Sequence, residues 1–210
     1  MSKIEKQALF DLAYERIRKM IDEGELQPGE KINKRALVEL LGVSLTPINE
    51  ALNRLAGEKI LEQRSRQGFF IHQYTYSELS QLFELRASIE GMAARLCAEH
   101  MRDEEIAEIS KVFENFSFPF HETSYQDYLY ADKYFHESLV KYSGNPFLID
   151  VFITSRYLPK SNQKGLLRPA EETLPEHMMI ISALKNHDAH LAQELTIVHF
   201  LRTRDVLRSY

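Results

Sequence analysis

The sequence predicts a mainly α protein in two parts: an N-terminal winged helix-turn-helix with a small β-hairpin wing, then an all-helical bundle of about six helices. Three observations carry this. Apolar residues recur at helical spacing along most of the 210 residues. One stretch, LEQRSRQGFFIHQ, breaks that period and has the alternation and turn residues of a hairpin. After residue 74 the pattern is helical to the end, interrupted by polar breaks, which places a domain boundary between 1–74 and 75–210.

In order along the chain, Ala8, Leu9, Leu12, Ala13, Ile17, Met20 and Ile21 make the apolar stripe of a helix over 4–23, ended by Gly24 and Pro28-Gly29. Residues 30–32 can supply a short strand. A second helix over 34–41 turns Leu37, Leu40 and Leu41 inward, and Gly42 offers the left-handed residue that stops it. The third helix starts within 44–47, where Ser44 or Thr46 can cap and Pro47 is tolerated in the first turn. Its inner face is Ile48, Ala51, Leu52 and Leu55, which leaves Leu45, Asn49, Glu50 and Asn53 outside. The hairpin follows, with Arg66-Gln67-Gly68 at its tip and Phe69 and Ile71 on one face. Thr75 and Glu78 form a capping box for the next helix. Helices are then predicted near 76–100, 103–115, 121–142, 146–160, 173–186 and 188–207, with SNQKGLLRPAEETLP as a loop.

Composition narrows the function classes. With 44% apolar residues the chain can fill a core. The amino terminus, MSKIEKQALF, is charged, and no segment reaches the roughly 18 to 20 apolar residues of a membrane span. A cytoplasmic, non-membrane protein is expected. Cys97 is the single cysteine, so no intrachain disulfide can form, and its apolar setting predicts an inert thiol. The net charge is −5, which argues against a chain that coats nucleic acid along its length. Its distribution is uneven: residues 31–74 hold 7 basic and 4 acidic side chains, whereas residues 75–210 hold 14 and 20.

Several polar residues fall on inner stripes of the second half. Asp132 and His136 are one turn apart in the stripe of Tyr128, Leu129, Phe135 and Leu139. His177 accompanies Leu174, Met178, Ile181 and Leu184, and His199 accompanies Leu191, Leu195 and Val198. A buried carboxylate needs a compensating charge or several hydrogen bonds. One aspartate and three imidazoles converging from three helices would suit a divalent metal, zinc foremost, with nickel or manganese as alternatives. Hydrogen-bonded core histidines are the competing explanation. His187 and His190, beside Asp188, are expected on the surface, and His121 at a helix start. Arg86 lies between Leu82 and Ile89 on its stripe. Two roles stay open for it, pairing with an internal carboxylate such as Glu90 or clamping an acidic small molecule near the metal.

The two halves together resemble a GntR-family transcriptional regulator with a FadR-type (FCD) helical ligand-binding domain. The resemblance rests on LQPGEKI, TPINEALNRLAGEKIL and wing Gly68 in the first half. In the second it rests on QLFELRASIEGMAARL, DKYFHESLVKYSGN and EHMMIISALKNHDAHLAQELTIVH. In metal-binding members the ligands correspond to Asp132, His136, His177 and His199, the residues the stripes select. The resemblance further implies a homodimer, a palindromic double-stranded DNA operator and a small organic acid effector. It departs at GVSLTPINEAL: the family usually has arginine where this chain has Leu45 and Asn49. Asparagine pairs well with adenine and leucine can touch a thymine methyl. DNA binding is therefore expected to persist with a more A/T-dependent operator, using Arg35, Leu45, Thr46, Asn49, Arg54, Arg66 and Gly68. A helical-bundle metalloenzyme and a direct metal sensor are the alternatives; an effector-responsive regulator, not an enzyme, is the expectation.

Overall fold

The computed structural model describes residues 3–117, 125–155 and 167–210. His121, residues 161–166 of the expected loop and parts of the helices expected at 121–142 and 146–160 lie outside the described residues. The chain divides into two compact units, one up to Tyr74 and one from Thr75 onward.

The first unit contains α1 (Lys3–Asp22), α2 (Lys34–Leu41), α3 (Leu45–Gly57), β1 (Leu61–Arg64) and β2 (Gly68–Ile71). The Asn33 side chain accepts the Arg35 and Ala36 N–H groups and so starts α2. Gly42, at φ 64°, ends α2 by donating to the Val38 carbonyl. Ser44 occupies the N-cap position of α3 without a side-chain capping bond. Ile17 and Ile21 of α1 meet Ile48, Leu52 and Leu55 of α3 and Ile71 of β2 in one core. Leu40, expected inward, is 58% exposed. An eight-residue helix covered on one side has room for one central anchor, and Leu37 takes it. The strands pair antiparallel from Leu61 opposite Ile71 to Arg64 opposite Gly68, which turns Phe69 and Ile71 inward. The strand expected at 30–32 reduces to a bridge between Lys31 and Phe70, with Ile32 N–H donating to the Phe69 carbonyl. Capping of α2 at Asn33 leaves no length for more.

The second unit contains α4 (Tyr76–His100), α5 (Asp103–Ser110) followed by a 3₁₀ turn (Lys111–Phe113), α6 (Tyr125–Tyr142), α7 (Pro146–Ser155), α8 (Ala170–Lys185) and α9 (Ala189–Arg208). The Thr75–Glu78 capping box starts α4. α8 starts at Ala170, three residues before the helix expected from 173, so residues 170–172 of the expected loop belong to it, and Pro175 lies inside it. Pro175 cannot donate to the Glu171 carbonyl, but Ala170, Thr173 and Leu174 are buried, and tertiary packing overrides local propensity there. Asp188 caps α9 through the Leu191 N–H.

α4 and α9 form the most extensive helix pair. Small residues on α4, Ala87, Gly91, Ala94 and Ala98, are all buried and let the two backbones approach. A Cβ built at Gly91 would lie 2.6 Å from Cγ1 of Ile197, with the Gln193 carbonyl oxygen at 3.5 Å. Cγ1 is fixed close to the α9 backbone, so it cannot swing clear. Gly91→Val is expected to destabilise the protein by about 2 kcal/mol or more, measured as a lower urea midpoint with the slope unchanged.

Candidate functional site

α6 supplies Asp132 and His136, α8 supplies His177 and α9 supplies His199. The structure brings these four together: one ligand atom from each lies within 4.8 Å of the others. His136 Nε2 and His177 Nε2 are 3.1 Å apart, and Asp132 Oδ1 is 3.5 Å from His177 Nε2. The three histidines are buried, and Asp132 keeps 26% of its side chain exposed, so it sits at the edge of the stripe where it was expected in the middle. Two stripe assignments shift with it. Met178, Leu191 and Val198 face outward, and His199 is buried with Ala192, Thr196, Phe200 and Thr203.

Each histidine has a second oxygen partner at Nδ1. His136 Nδ1 lies 2.8 Å from Glu90 Oε2, an ion-pair contact in which neither atom has another hydrogen-bond partner among the described residues. His199 Nδ1 lies 2.7 Å from Glu176 Oε2. His177 Nδ1 lies 3.0 Å from the Tyr128 hydroxyl, which is 2.7 Å from Thr173 Oγ1; Thr173 in turn donates to the Pro169 carbonyl at 3.3 Å. The direction of this last chain leaves Tyr128 oxygen to accept from His177. An oxygen thus faces Nδ1 of each ring, while Nε2 of His136 and Nε2 of His177 face one another across the space between the helices.

Two imidazole nitrogens 3.1 Å apart need a proton or a cation between them. A proton is disfavoured on His177: burial, then the neighbouring His199 and His136, push its pKa well below the ordinary value. Burial also lowers His199, against the opposing pull of Glu176. Imidazoles with a carboxylate beside them are the donor set of a divalent cation. The residues present fit such an ion.

The carboxylates behind the histidines are themselves held. Burial alone would raise the Glu90 carboxyl, yet Arg86 and His136 keep it below the usual carboxylate range. Arg86 Nε donates to Glu90 Oε1 at 2.7 Å, and its guanidinium lies 4.5 Å from the Phe200 ring centre. Glu176 is the hub of the other side: Arg168 clamps it with two bonds of 2.8 and 2.6 Å, and Arg202 adds one of 2.5 Å. Against the cost of burial, the His199, Arg168 and Arg202 hydrogen bonds hold Glu176 well below the carboxylate range. Sequence patterning missed Glu176, Tyr128 and Arg168 as partners. A Glu adjacent to an inward His was the one visible signal, and Arg168 fell in the supposed loop. Cys97 is outside this set, donating to the Leu139 carbonyl with its pKa pushed up to about 12 by burial. His187, exposed on the surface as expected, also bridges the Ala98 carbonyl and Asp103 at 2.9 Å each.

In the first unit, Leu45, Thr46 and Asn49 lie along the outer side of α3, and Arg35 is exposed at the start of α2. Arg66 is exposed at the hairpin tip with φ 60°, and Gly68 follows at φ 106°. Arg54 is placed elsewhere: its Nε pairs with Glu58 at 3.0 Å and its guanidinium stacks 4.1 Å from the Tyr14 ring, toward α1. Lys34, not singled out from the sequence, reaches Asn49 Oδ1 at 2.7 Å.

Comparison with known proteins agrees with these two parts. Residues 10–71 match the family described as bacterial regulatory proteins, gntR family, and residues 81–202 match the FCD domain. The HTH-type transcriptional regulator YdhC of Bacillus subtilis is 30% identical over 195 residues, 89% of this chain and 85% of that protein. The gluconate operon transcriptional repressor of Bacillus licheniformis is 24% identical, over 83% of this chain and 75% of its own length. Among solved structures, Escherichia coli McbR/YncC aligns with a TM-score of 0.70 at 22% identity, covering 100% of this chain and 99% of that one, a likeness of fold. Among the described residues, no helix is long and apolar enough to cross a membrane. The chain belongs to the GntR family, as a DNA-binding transcriptional regulator of the FCD type and not an enzyme.

Proposed function

We propose that the helical unit binds a divalent metal through Asp132, His136, His177 and His199, and that a small organic acid completing the metal's coordination modulates operator binding. The observation that carries this is the convergence of one ligand atom from each of the four residues within 4.8 Å, with oxygens of Glu90, Tyr128 and Glu176 facing the three Nδ1 atoms from outside. Four protein ligands leave one or two positions open in five- or six-fold coordination. Asp132, the exposed member, marks the side from which an acid would enter. Zinc is the first candidate, with nickel or manganese next. The Bacillus licheniformis relative is named for a gluconate operon, and an acid of that kind offers a carboxylate and hydroxyls to a metal. Arg86 is the cation assigned to the effector; its bond to Glu90, and thence to His136, would link its occupancy to a metal ligand.

In this reading a cytoplasmic homodimer places two copies of α3 on a palindromic operator, with Arg35, Thr46, Arg66 and Gly68 serving phosphates and grooves. Arg54, engaged with Glu58 and Tyr14, serves at most the phosphates flanking that face. The effector can alter DNA affinity only through its different affinity for two arrangements of the dimer. Selection of bound DNA from a random pool, followed by titration of the recovered operator with organic acids with and without chelator, tests this. Metal-dependent release or tightening by an acid is expected, of about 5- to 150-fold. Operator binding that ignores every acid and chelation would refute the sensing role, and a response to the metal alone would make the protein a direct metal sensor.

A further inference from the structure

Lys34 opens α2 and spans to α3. Its Nζ is 2.7 Å from Asn49 Oδ1, and the same ammonium sits 4.9 Å from the centre of the Phe69 ring on β2. The carbonyl end of the Asn49 amide is therefore engaged inside the protein, on the outer side of the helix that faces DNA.

An asparagine that recognises adenine uses both ends of its amide, Nδ2 donating to N7 and Oδ1 accepting from the N6 amino group. An ammonium has three donors and no acceptor. With one lone pair of Oδ1 taken by Lys34 and the ammonium standing beside the other, the two side chains together present mainly donors: the Nδ2 hydrogens and the remaining ammonium hydrogens. The major-groove edge of guanine carries two acceptors, N7 and O6, and matches such a face. Adenine matches it less well, because its N6 amino group would lie against the Lys34 ammonium. Leu45, one turn before Asn49 and 49% exposed, adds no charge, so Lys34 brings the cation that this face of α3 lacks.

We infer that Lys34 and Asn49 act as one base-reading unit directed to guanine, Lys34 setting the specificity from α2. This reverses the A/T dependence expected from Asn49 alone, and it rests on α3 being the helix that enters the major groove.

The test is selection of bound sequences from a random pool by the full-length chain, in wild type, Lys34→Met and Asn49→Ala. Lys34→Met keeps an apolar stem against Phe69, and its melting curve checks that it folds. Wild type is expected to recover guanine at one position of each half-site. Lys34→Met, with Oδ1 released, is expected to prefer adenine there, with about a tenfold swing in relative affinity between matched guanine and adenine operators. Asn49→Ala should lose the preference at that position alone. Adenine in the wild-type motif would overturn the inference. So would a Lys34→Met protein that keeps the base ranking and weakens all operators alike with a shallower salt dependence, the signature of a phosphate contact. A wild-type motif unmoved by either variant would remove α3 from the groove, and the inference with it.

Discussion

Chelation is expected to lower the melting temperature of the purified protein by about 10 °C, and restoring zinc to bring it back. An ion bound a thousandfold above its dissociation constant stabilises the folded state by about 4 kcal/mol, and each kcal/mol moves the midpoint by about 2–4 °C at this size. The effect should be large here because the ligands are brought together from three helices and the three imidazoles are buried. The Nε2 atoms of His136 and His177 lie 3.1 Å apart, and oxygens of Glu90, Tyr128 and Glu176 face the three Nδ1 atoms. His177→Ala should abolish the chelator effect, since His177 is fully buried at the centre of the group. Asp132→Asn, at the exposed edge, should keep the helical circular dichroism and lose metal affinity by tenfold or more. Scanning calorimetry with elemental analysis checks both. Equal melting with and without chelator, and no bound metal, would dismiss the metal centre.

Glu176→Ala is expected to cost about 3–5 kcal/mol, read as a fall in the urea midpoint, because it leaves Arg168 buried without its bidentate partner. Glu176→Gln retains volume and one acceptor. It should lose less stability but weaken metal binding by about 10- to 100-fold, because His199 Nδ1 then lacks its anionic partner. The pH dependence separates these roles. The folded pKa of Glu176 lies well below its unfolded value of about 4.3, so its contribution is full above that value and is lost as pH falls through the folded pKa. Wild type should therefore lose stability more steeply than Glu176→Gln below about pH 4. Parallel acid limbs for the two proteins would show that Glu176 is not held as an ionised carboxylate.

Much of this was legible beforehand, for an identifiable reason. Helical period reports which way a side chain points from its own axis, so Ile48, Leu52 and Leu55 were found as a core face, and Asp132, His136, His177 and His199 as inward polar residues. Turn chemistry placed Gly42, the hairpin and the Thr75–Glu78 box. Period says nothing about how wide a neighbouring element is. Leu40, Met178, Leu191 and Val198 lie on plausible stripes yet stay exposed because, among the described residues, no packed element covers that arc. Pro175 marked a break by local rules, and burial of Ala170 and Leu174 kept the helix intact.

The sequence by itself determined the order of elements, the two-part architecture and the four candidate metal ligands, since each follows from spacing along one segment. Tertiary structure alone decided how those ligands are held: Glu90, Tyr128 and Glu176 each meet a histidine 23 to 49 residues away, on another helix. It also decided that Asn49 shares its carbonyl with Lys34 and that Arg54 turns to Tyr14. Hydrogen-bond partnership depends on where two helices cross, and one-dimensional periodicity carries no record of the crossing.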